Sequence, residues 1–317
     1  MVRPELKEYM EKVIEALKDK SPKEVLSYAI FNEEDEVEYY RKLAEHARRE
    51  SIRVLFLQMA EESLGHKEKL LKLFRRLYPG EEPVKVEAPP VEVAPFYPKF
   101  ETVDDYLEAL EYCMESELFA RETYEILAQK AVNEDSRVLF VQLAEMERDH
   151  YLRLKKAYEL LTGFKSKKMM PEDIEPGGYI FPDKEKARYV FLDLAATREG
   201  YVFSRDPPEK VRDWMKRDVN TIWISPAPIK GSISPRTLIE SKENLVEILR
   251  RGNVVLLLEN LEFILAKEDF GEVLDLMSTL RDAAIAYGSY LLVHTIKDAI
   301  EKKEWVILTS ELKIIED

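Results

Sequence analysis

Glu147 and His150 stand three residues apart in the stretch RVLFVQLAEMERDH, residues 137–150. On a helix that spacing sets a carboxylate and an imidazole one turn apart on the same face, an arrangement suited to holding a metal ion. The helical stripe through them runs Ser136, Phe140, Leu143, Glu147, His150, Leu154, so the polar pair lies on an otherwise apolar, core-directed face. Residues 53–66, RVLFLQMAEESLGH, nearly copy this stretch 84 positions earlier. Their stripe, Ile52, Phe56, Met59, Ser63, His66, Leu70, keeps the imidazole but has serine where the later copy has Glu147. The segments upstream repeat as well: Leu26, Ala29, Glu33, Glu36, Tyr40, Leu43 matches Leu110, Cys113, Glu117, Ala120, Tyr124, Leu127. Each of four apolar stripes thus carries Glu, His or both near its middle. Burying several carboxylates with no cation costs several kcal/mol for each, and a bound metal removes that cost.

The elements that must present these residues are two helix pairs, and the internal repeat is itself the sign of a duplicated helical hairpin. A short amphipathic helix over 4–18 comes first. Ser21-Pro22-Lys23-Glu24 then gives an N-cap residue, Pro in the first turn and Glu three places on, a strong helix start. The helix it opens runs to about residue 48, Ser51 opens the next, and that one ends near Tyr78-Pro79-Gly80. Residues 79–101 hold six prolines and are read as an extended crossover between the hairpins. Thr102 caps the third helix, and Asp135-Ser136 caps the fourth, which fades near Gly163.

With this pattern, residues 21–162 resemble the rubrerythrin-like branch of the ferritin-like superfamily. The resemblance implies a four-helix bundle with Glu on the first and third helices, Glu-x-x-His on the second and fourth, and two enclosed irons. Glu117, Glu147 and His150 match the second half of that pattern completely. Glu33 and His66 match the first half, while Ser63 replaces its partner carboxylate. Two divalent ions carry four positive charges, and Glu33, Glu117 and Glu147 offer three carboxylates. Glu62, about 100° round the helix from Ser63, and Glu36, one turn from Glu33, are the residues that could compensate. Without compensation one metal position should be weak, leaving one iron instead of two. Carboxylate-plus-imidazole ligation suits iron or manganese better than thiophilic metals.

Tyr40 and Tyr124 lie seven residues past Glu33 and Glu117 on the same faces. They are read either as core aromatics whose hydroxyls need a partner, or as hydrogen-bond donors to a metal-bound carboxylate or the oxidant. His46 falls near a helix end, where a cation suits the dipole, and His294 ends a strand without a further argument. Family members often carry an iron–sulfur rubredoxin module, which needs four thiolates. The chain has one cysteine, Cys113, on the inner face of the third helix, so electrons would have to come from a separate donor.

Beyond a linker at 164–177 the period changes. Short β-type runs at 179–181, 201–204, 221–224, 254–258 and 290–294 alternate with helical patterns at 184–199, 209–216, 235–251, 271–287 and 297–302. This alternation predicts an α/β domain, 178–317, with a mainly parallel sheet. YVFSRDPP, residues 201–208, and VVLLLENLE, residues 254–262, carry a resemblance to an uncharacterised domain of mostly archaeal proteins, loosely similar to RecA-like cores. Glu259 and Glu262 follow a strand as a Walker B acid would, but no Gly-x-x-x-x-Gly-Lys-Ser/Thr loop accompanies them. They are read as strand-end polar residues, and Arg205 as a candidate for binding an anion there.

Composition bounds the function. A chain of 317 residues with 45% hydrophobic and 35% charged residues suits two domains with real cores and a polar surface. A net charge of −14 argues against nucleic-acid or anionic-membrane partners. The lack of a long apolar run or a leader pattern points to a cytoplasmic protein. The expected function is a non-haem iron oxidoreductase acting on hydrogen peroxide or dioxygen, and the resemblance implies a homodimer. The alternatives are a metal- or redox-responsive regulator with the bundle as sensor and the α/β domain as output, or a partner-binding bundle whose site has decayed.

Overall fold

The computed structural model describes residues 4–89, 98–131, 134–166 and 173–315, with the side chains of residues 4–10 and of residue 136 left aside. The chain divides into two compact units, Met1–Lys165 and Ser166–Asp317.

The first unit is helical: α1 (Pro4–Leu17), α2 (Pro22–His46), α3 (Glu50–Leu77), α4 (Val103–Lys130) and α5 (Glu134–Ser166). The start of α2 is fixed by a reciprocal capping box between Ser21 and Glu24, with Pro22 in the first turn. Thr102 and Asp105 do the same for α4. The third helix begins one residue before the expected Ser51 and has no side-chain cap. The main-chain N–H groups of Arg48 and Arg49 there donate to the Tyr106 hydroxyl at 3.1 and 2.9 Å. Residues 79–89 and 98–101 of the crossover are neither helix nor strand, in keeping with their prolines; Pro90 and Pro95 lie outside the described residues. The last helix passes the expected end at Gly163 and reaches Ser166, and residues 167–172 of the expected linker lie outside the description.

Two apolar zones fill the bundle. Phe74, Phe119 and Phe140 belong to one cluster, which α1 closes with Val13, Ile14 and Leu17. In the other, Tyr40 stacks on Phe56, and Phe56 meets Phe100, which meets Tyr106. Burying aromatic side chains of this size contributes about 2–3 kcal/mol each. Buried Glu33, Glu36, Glu117, Glu147 and His150 interrupt these apolar surfaces at the middle of their helices. Cys113 is buried among them as a small core residue, 3.9 Å from the Tyr39 hydroxyl.

The second unit is an α/β domain. Its strands are β1 (Gly177–Phe181), β2 (Glu199–Ser204), β3 (Asn220–Ile224), β4 (Ser232–Ile233), β5 (Val254–Leu258), β6 (Tyr290–His294) and β7 (Lys313–Ile314). Among the described residues they form one seven-stranded sheet, ordered β4-β3-β2-β5-β6-β1-β7. Every pairing is parallel. The central strands, VVLLL and YLLVH, are buried at every position, as a sheet covered on both faces requires. Helix α6 (Lys184–Ala195) follows β1 and α7 (Pro208–Met215) follows β2. The pattern at 235–251 is two helices, α8 (Pro235–Glu240) and α9 (Lys242–Arg250), broken at Ser241. Beyond β5 come α10 (Leu261–Leu265) and α11 (Phe270–Tyr287), and α12 (Lys302–Glu311) precedes β7. From β2 the chain builds outward through β3 and β4, then returns to build the other way from β5, so order reverses between β2 and β5.

Candidate metal centre

Glu36 on α2, Glu117 on α4, and Glu147 and His150 on α5 converge at mid-bundle. One ligand-type atom from each lies within 4.8 Å of all the others. His150 Nδ1 is 3.4 Å from Glu36 Oε1, 3.6 Å from Glu117 Oε2 and 3.8 Å from Glu147 Oε2. Beside this group, Glu33 Oε1 approaches His66 Nδ1 at 3.5 Å. The His66 and His150 rings stack with centroids 4.9 Å apart, joining the two histidines of the repeat. The Tyr40 hydroxyl donates to Glu117 Oε1. Its repeat mate Tyr124 is buried as well, but lies beside Asn32, the neighbour of Glu33.

Electrostatics follow from burial. Loss of water pushes Glu33, Glu36 and Glu147 above the ordinary carboxylate range, and their mutual repulsion adds to it. Burial acts the same way on Glu117, but the closeness of the His150 imidazole and the hydrogen bond from Tyr40 outweigh it and hold Glu117 low. Burial would lower His150, yet the Glu36 and Glu117 carboxylates raise it well above its usual value. His66 falls to about 4, through burial first and the charge of His150 second. Burial pushes both Tyr40 and Tyr124 well above their ordinary values.

The two candidates for compensating Ser63 part here. Glu36 is buried within the cluster. Glu62 lies outside it: its carboxylate turns away to pair with Arg153 on α5 at 2.5 Å. Ser63 itself is buried and donates to the Met59 carbonyl at 3.0 Å. The pseudo-symmetry of the repeat is therefore broken twice and in opposite senses. One carboxylate is missing from α3 at Ser63, and one is added on α2 at Glu36, where the other copy has Ala120.

Residues 24–158 match the family model described as Rubrerythrin. The first unit is a rubrerythrin domain. The pair of iron ions that this family implies can be tested against the residues present. Both ring nitrogens of His150, Nδ1 of His66 and Oε2 of Glu33 are buried without a hydrogen-bond partner. Buried polar atoms are rarely left so, and oxygen and imidazole donors are the type that takes iron. Four buried carboxylates, Glu33, Glu36, Glu117 and Glu147, would balance two divalent cations. The residues of the rubrerythrin domain fit the group.

Residues 180–312 match the model described as Protein of unknown function (DUF835). A solved structure, a hypothetical protein from Pyrococcus furiosus, is 33% identical, covering 48% of this chain and 96% of its own, with a TM-score of 0.40. No curated protein matches the chain. No helix among the described residues is long and apolar enough to cross a membrane.

The reversal point of the α/β sheet, where such folds commonly bind ligands, is filled by the chain's own charges. Glu259 follows β5 and is fully buried. It accepts from Arg188 Nε and Nη2 of α6, from Ser204 Oγ at 2.5 Å, and pairs with Lys184 at 3.2 Å. The Arg188 guanidinium also lies over the Trp214 ring, 4.7 Å from its centroid. Only Pro182 and Asp183 separate β1 from α6, and Asp183 accepts from Lys186 N at 2.9 Å, capping the helix. Arg205 is engaged as well: it donates to the Ile224 carbonyl at 2.6 Å and lies 4.1 Å from the Phe263 centroid. Glu262 accepts from Asn260, Thr295 and the Ile296 main chain, and His294 Nδ1 faces the Asn260 N–H at 3.3 Å. His46, the last residue of α2, contacts the Lys42 carbonyl and stays exposed. Sequence reasoning missed Arg188. Its only signal was an Arg one turn into the helix that follows the first strand.

Proposed function

We propose that the rubrerythrin domain is a non-haem iron oxidoreductase acting on hydrogen peroxide or dioxygen. What supports this reading is the buried set Glu36, Glu117, Glu147 and His150, with the His66 ring stacked on His150 and Glu33 beside His66. Bound there, iron would supply the redox chemistry. Glu33, Glu36, Glu117 and Glu147 would neutralise it, and His66 and His150 would complete its donors. Tyr40 holds Glu117 in one orientation through its phenolic O–H and keeps its proton, because burial and the Glu117 charge oppose ionisation. The buried Phe74–Phe119–Phe140 and Phe56–Phe100 zones of the same bundle would help to keep water from the site. With Cys113 alone available, reducing equivalents would come from a separate protein.

The test is reconstitution of the full chain with ferrous iron, followed by metal content, optical spectrum and peroxide consumption with a supplied reductant. The expected result is iron binding and turnover, both lost in the Glu147→Ala, His150→Ala double variant. Equal iron in the double variant would remove the site. Iron binding without peroxide or dioxygen turnover would remove the oxidoreductase and favour a metal-responsive regulator.

A further inference from the structure

Asp206, in the turn between β2 and α7, draws more cations than one carboxylate needs. Its Oδ2 lies 3.1 Å from Lys184 Nζ and 3.2 Å from Arg188 Nη2, and its Oδ1 lies 2.8 Å from Lys210 Nζ. Lys184 and Arg188 belong to α6 and Lys210 to α7, so two helices aim three donors at two oxygens. The turn stands at the carboxyl ends of the strands, beside the reversal between β2 and β5, where open parallel sheets commonly take their ligands. Glu259, the other carboxylate of the cluster, is fully buried and holds Arg188 through two hydrogen bonds. Asp206 differs: its side chain is 19% exposed, and those of Lys184 and Lys210 are 30% and 69% exposed. The cluster thus has a buried floor, Arg188 with Glu259, and a wet mouth, Asp206 with the two lysines.

We propose that this mouth is a binding site for a single phosphate group, free or as a monoester, in which Asp206 stands in for the ligand until one displaces it. The donors select the ligand. A phosphate group offers three oxygens to Lys184, Arg188 and Lys210, one for each, where Asp206 has two, and charge-assisted bonds of this kind are the strong ones. It also carries about two negative charges at neutral pH. Three cations facing two carboxylates leave one positive charge over, which a dianion in the place of Asp206 cancels. Only Pro182 and Asp183 join β1 to α6, so no loop is available to cradle a second or third phosphate. Asp206 can withdraw by rotation of its own side chain. Its main-chain N–H is tied to Ser204 Oγ at 3.0 Å, and Pro207 and Pro208 fix the backbone that follows. Arg188 keeps Glu259 in either state, so the floor is undisturbed. The site lies in the α/β unit and does not depend on the function proposed for the bundle.

Calorimetric titration of the full chain, free of metal, with inorganic phosphate, phenyl phosphate and acetate tests it. Phosphate should bind wild type. It should bind Asp206→Asn about tenfold more tightly or better, because the resident competitor has lost its charge. Lys210→Ala should weaken phosphate binding by about tenfold or more in both backgrounds. Position 210 is exposed, so its truncation leaves the fold intact, and circular dichroism checks every variant. Acetate, with one charge and two oxygens, should bind wild type about tenfold more weakly than phosphate or worse. Tighter binding of phenyl phosphate than of phosphate assigns the ligand as a monoester, and the reverse order assigns it as free phosphate. Phosphate that fails to bind wild type, that binds Asp206→Asn no better, or that is indifferent to Lys210→Ala overturns the proposal. Acetate binding as tightly as phosphate overturns it equally.

Discussion

Glu36 Oε1 lies 3.4 Å from His150 Nδ1, closer than either carboxylate of the complete half-site, Glu117 or Glu147, comes to that nitrogen. A residue with no acidic mate in the repeat has thus become a central member of the cluster, and it does so opposite the serine that the repeat would have made glutamate. The four-carboxylate charge is kept while its distribution over the helices changes.

Glu36→Ala should therefore lower iron content sharply, toward one ion or none per chain, while Glu62→Ala leaves it at the wild-type value. Glu62 pairs with Arg153 in a largely exposed contact worth about 0.2–1 kcal/mol, so its removal should hardly move the melting temperature. Iron assay and circular dichroism on the two variants decide between them. Equal iron in both would say that Glu36 plays no part in binding.

Sequence reasoning could reach Glu36 and Glu62 but could not choose between them. Helical spacing allowed both, and the structure separates them: Glu36 joins the buried cluster, while Glu62 pairs with Arg153, a residue of another helix. The duplicated hairpin was legible because its apolar stripes and capping residues recur 84 positions apart. The five long strands were legible from β-branched and aromatic runs. Strands β4 and β7 were not, since each has two residues and no period to read. The Arg188–Glu259 pair was hidden because it joins residues 71 positions apart, and nothing local marks one Arg among many on amphipathic helices.

Arg188→Met should destabilise the α/β unit by about 3–5 kcal/mol, because Glu259 would remain buried with its main partner gone. Adding Glu259→Leu should recover much of the loss. Urea unfolding of wild type, single and double variants measures both. A single variant as stable as wild type would mean that Lys184 and Ser204 suffice to hold the carboxylate.

Asp206 belongs to the same cluster, 3.2 Å from Arg188 Nη2 and 3.1 Å from Lys184 Nζ, and sets an acid limit. Burial would raise Asp206, but hydrogen bonds from Lys210 and Lys184 bring it down to about 2. A carboxylate lowered on folding contributes stability that is full above its unfolded value, about 4, and is lost as pH falls toward 2. Asp206→Asn should flatten the stability profile of the α/β unit between those two values and leave it unchanged in slope near neutrality. Denaturant titrations across that range, on wild type and variant, check the sign.

Gly200 approaches α6 without room for a side chain: a Cβ there would sit 2.8 Å from Phe191 Cζ and 3.2 Å from Ala195 Cβ. Gly200→Ala should cost about 1–3 kcal/mol, since both neighbours belong to the packed core. Gly65→Ala on α3, where a Cβ would meet nothing within 4 Å, should instead stabilise by about 0.5–1 kcal/mol. Thermal unfolding of the two variants should move in opposite directions.

Ser63→Glu, the substitution that would complete the repeat, is expected to bring no gain in metal. With Glu36 already among the buried carboxylates, the new residue makes a fifth, and two divalent ions no longer balance it. The repeat shows that a glutamate can fit on such a face, as Glu147 does on α5, but here Glu36 occupies the shared interior first. Apo-protein should lose stability by several kcal/mol, because another buried carboxylate lacks a cation. Iron stoichiometry should stay at the wild-type value. Ser63→Glu combined with Glu36→Ala moves the carboxylate back to α3 and should restore both apo stability and metal content toward wild type. Calorimetry with and without iron, alongside iron assay, separates these outcomes. A rise in stoichiometry for Ser63→Glu alone would mean that Glu36 does not serve as the fourth carboxylate.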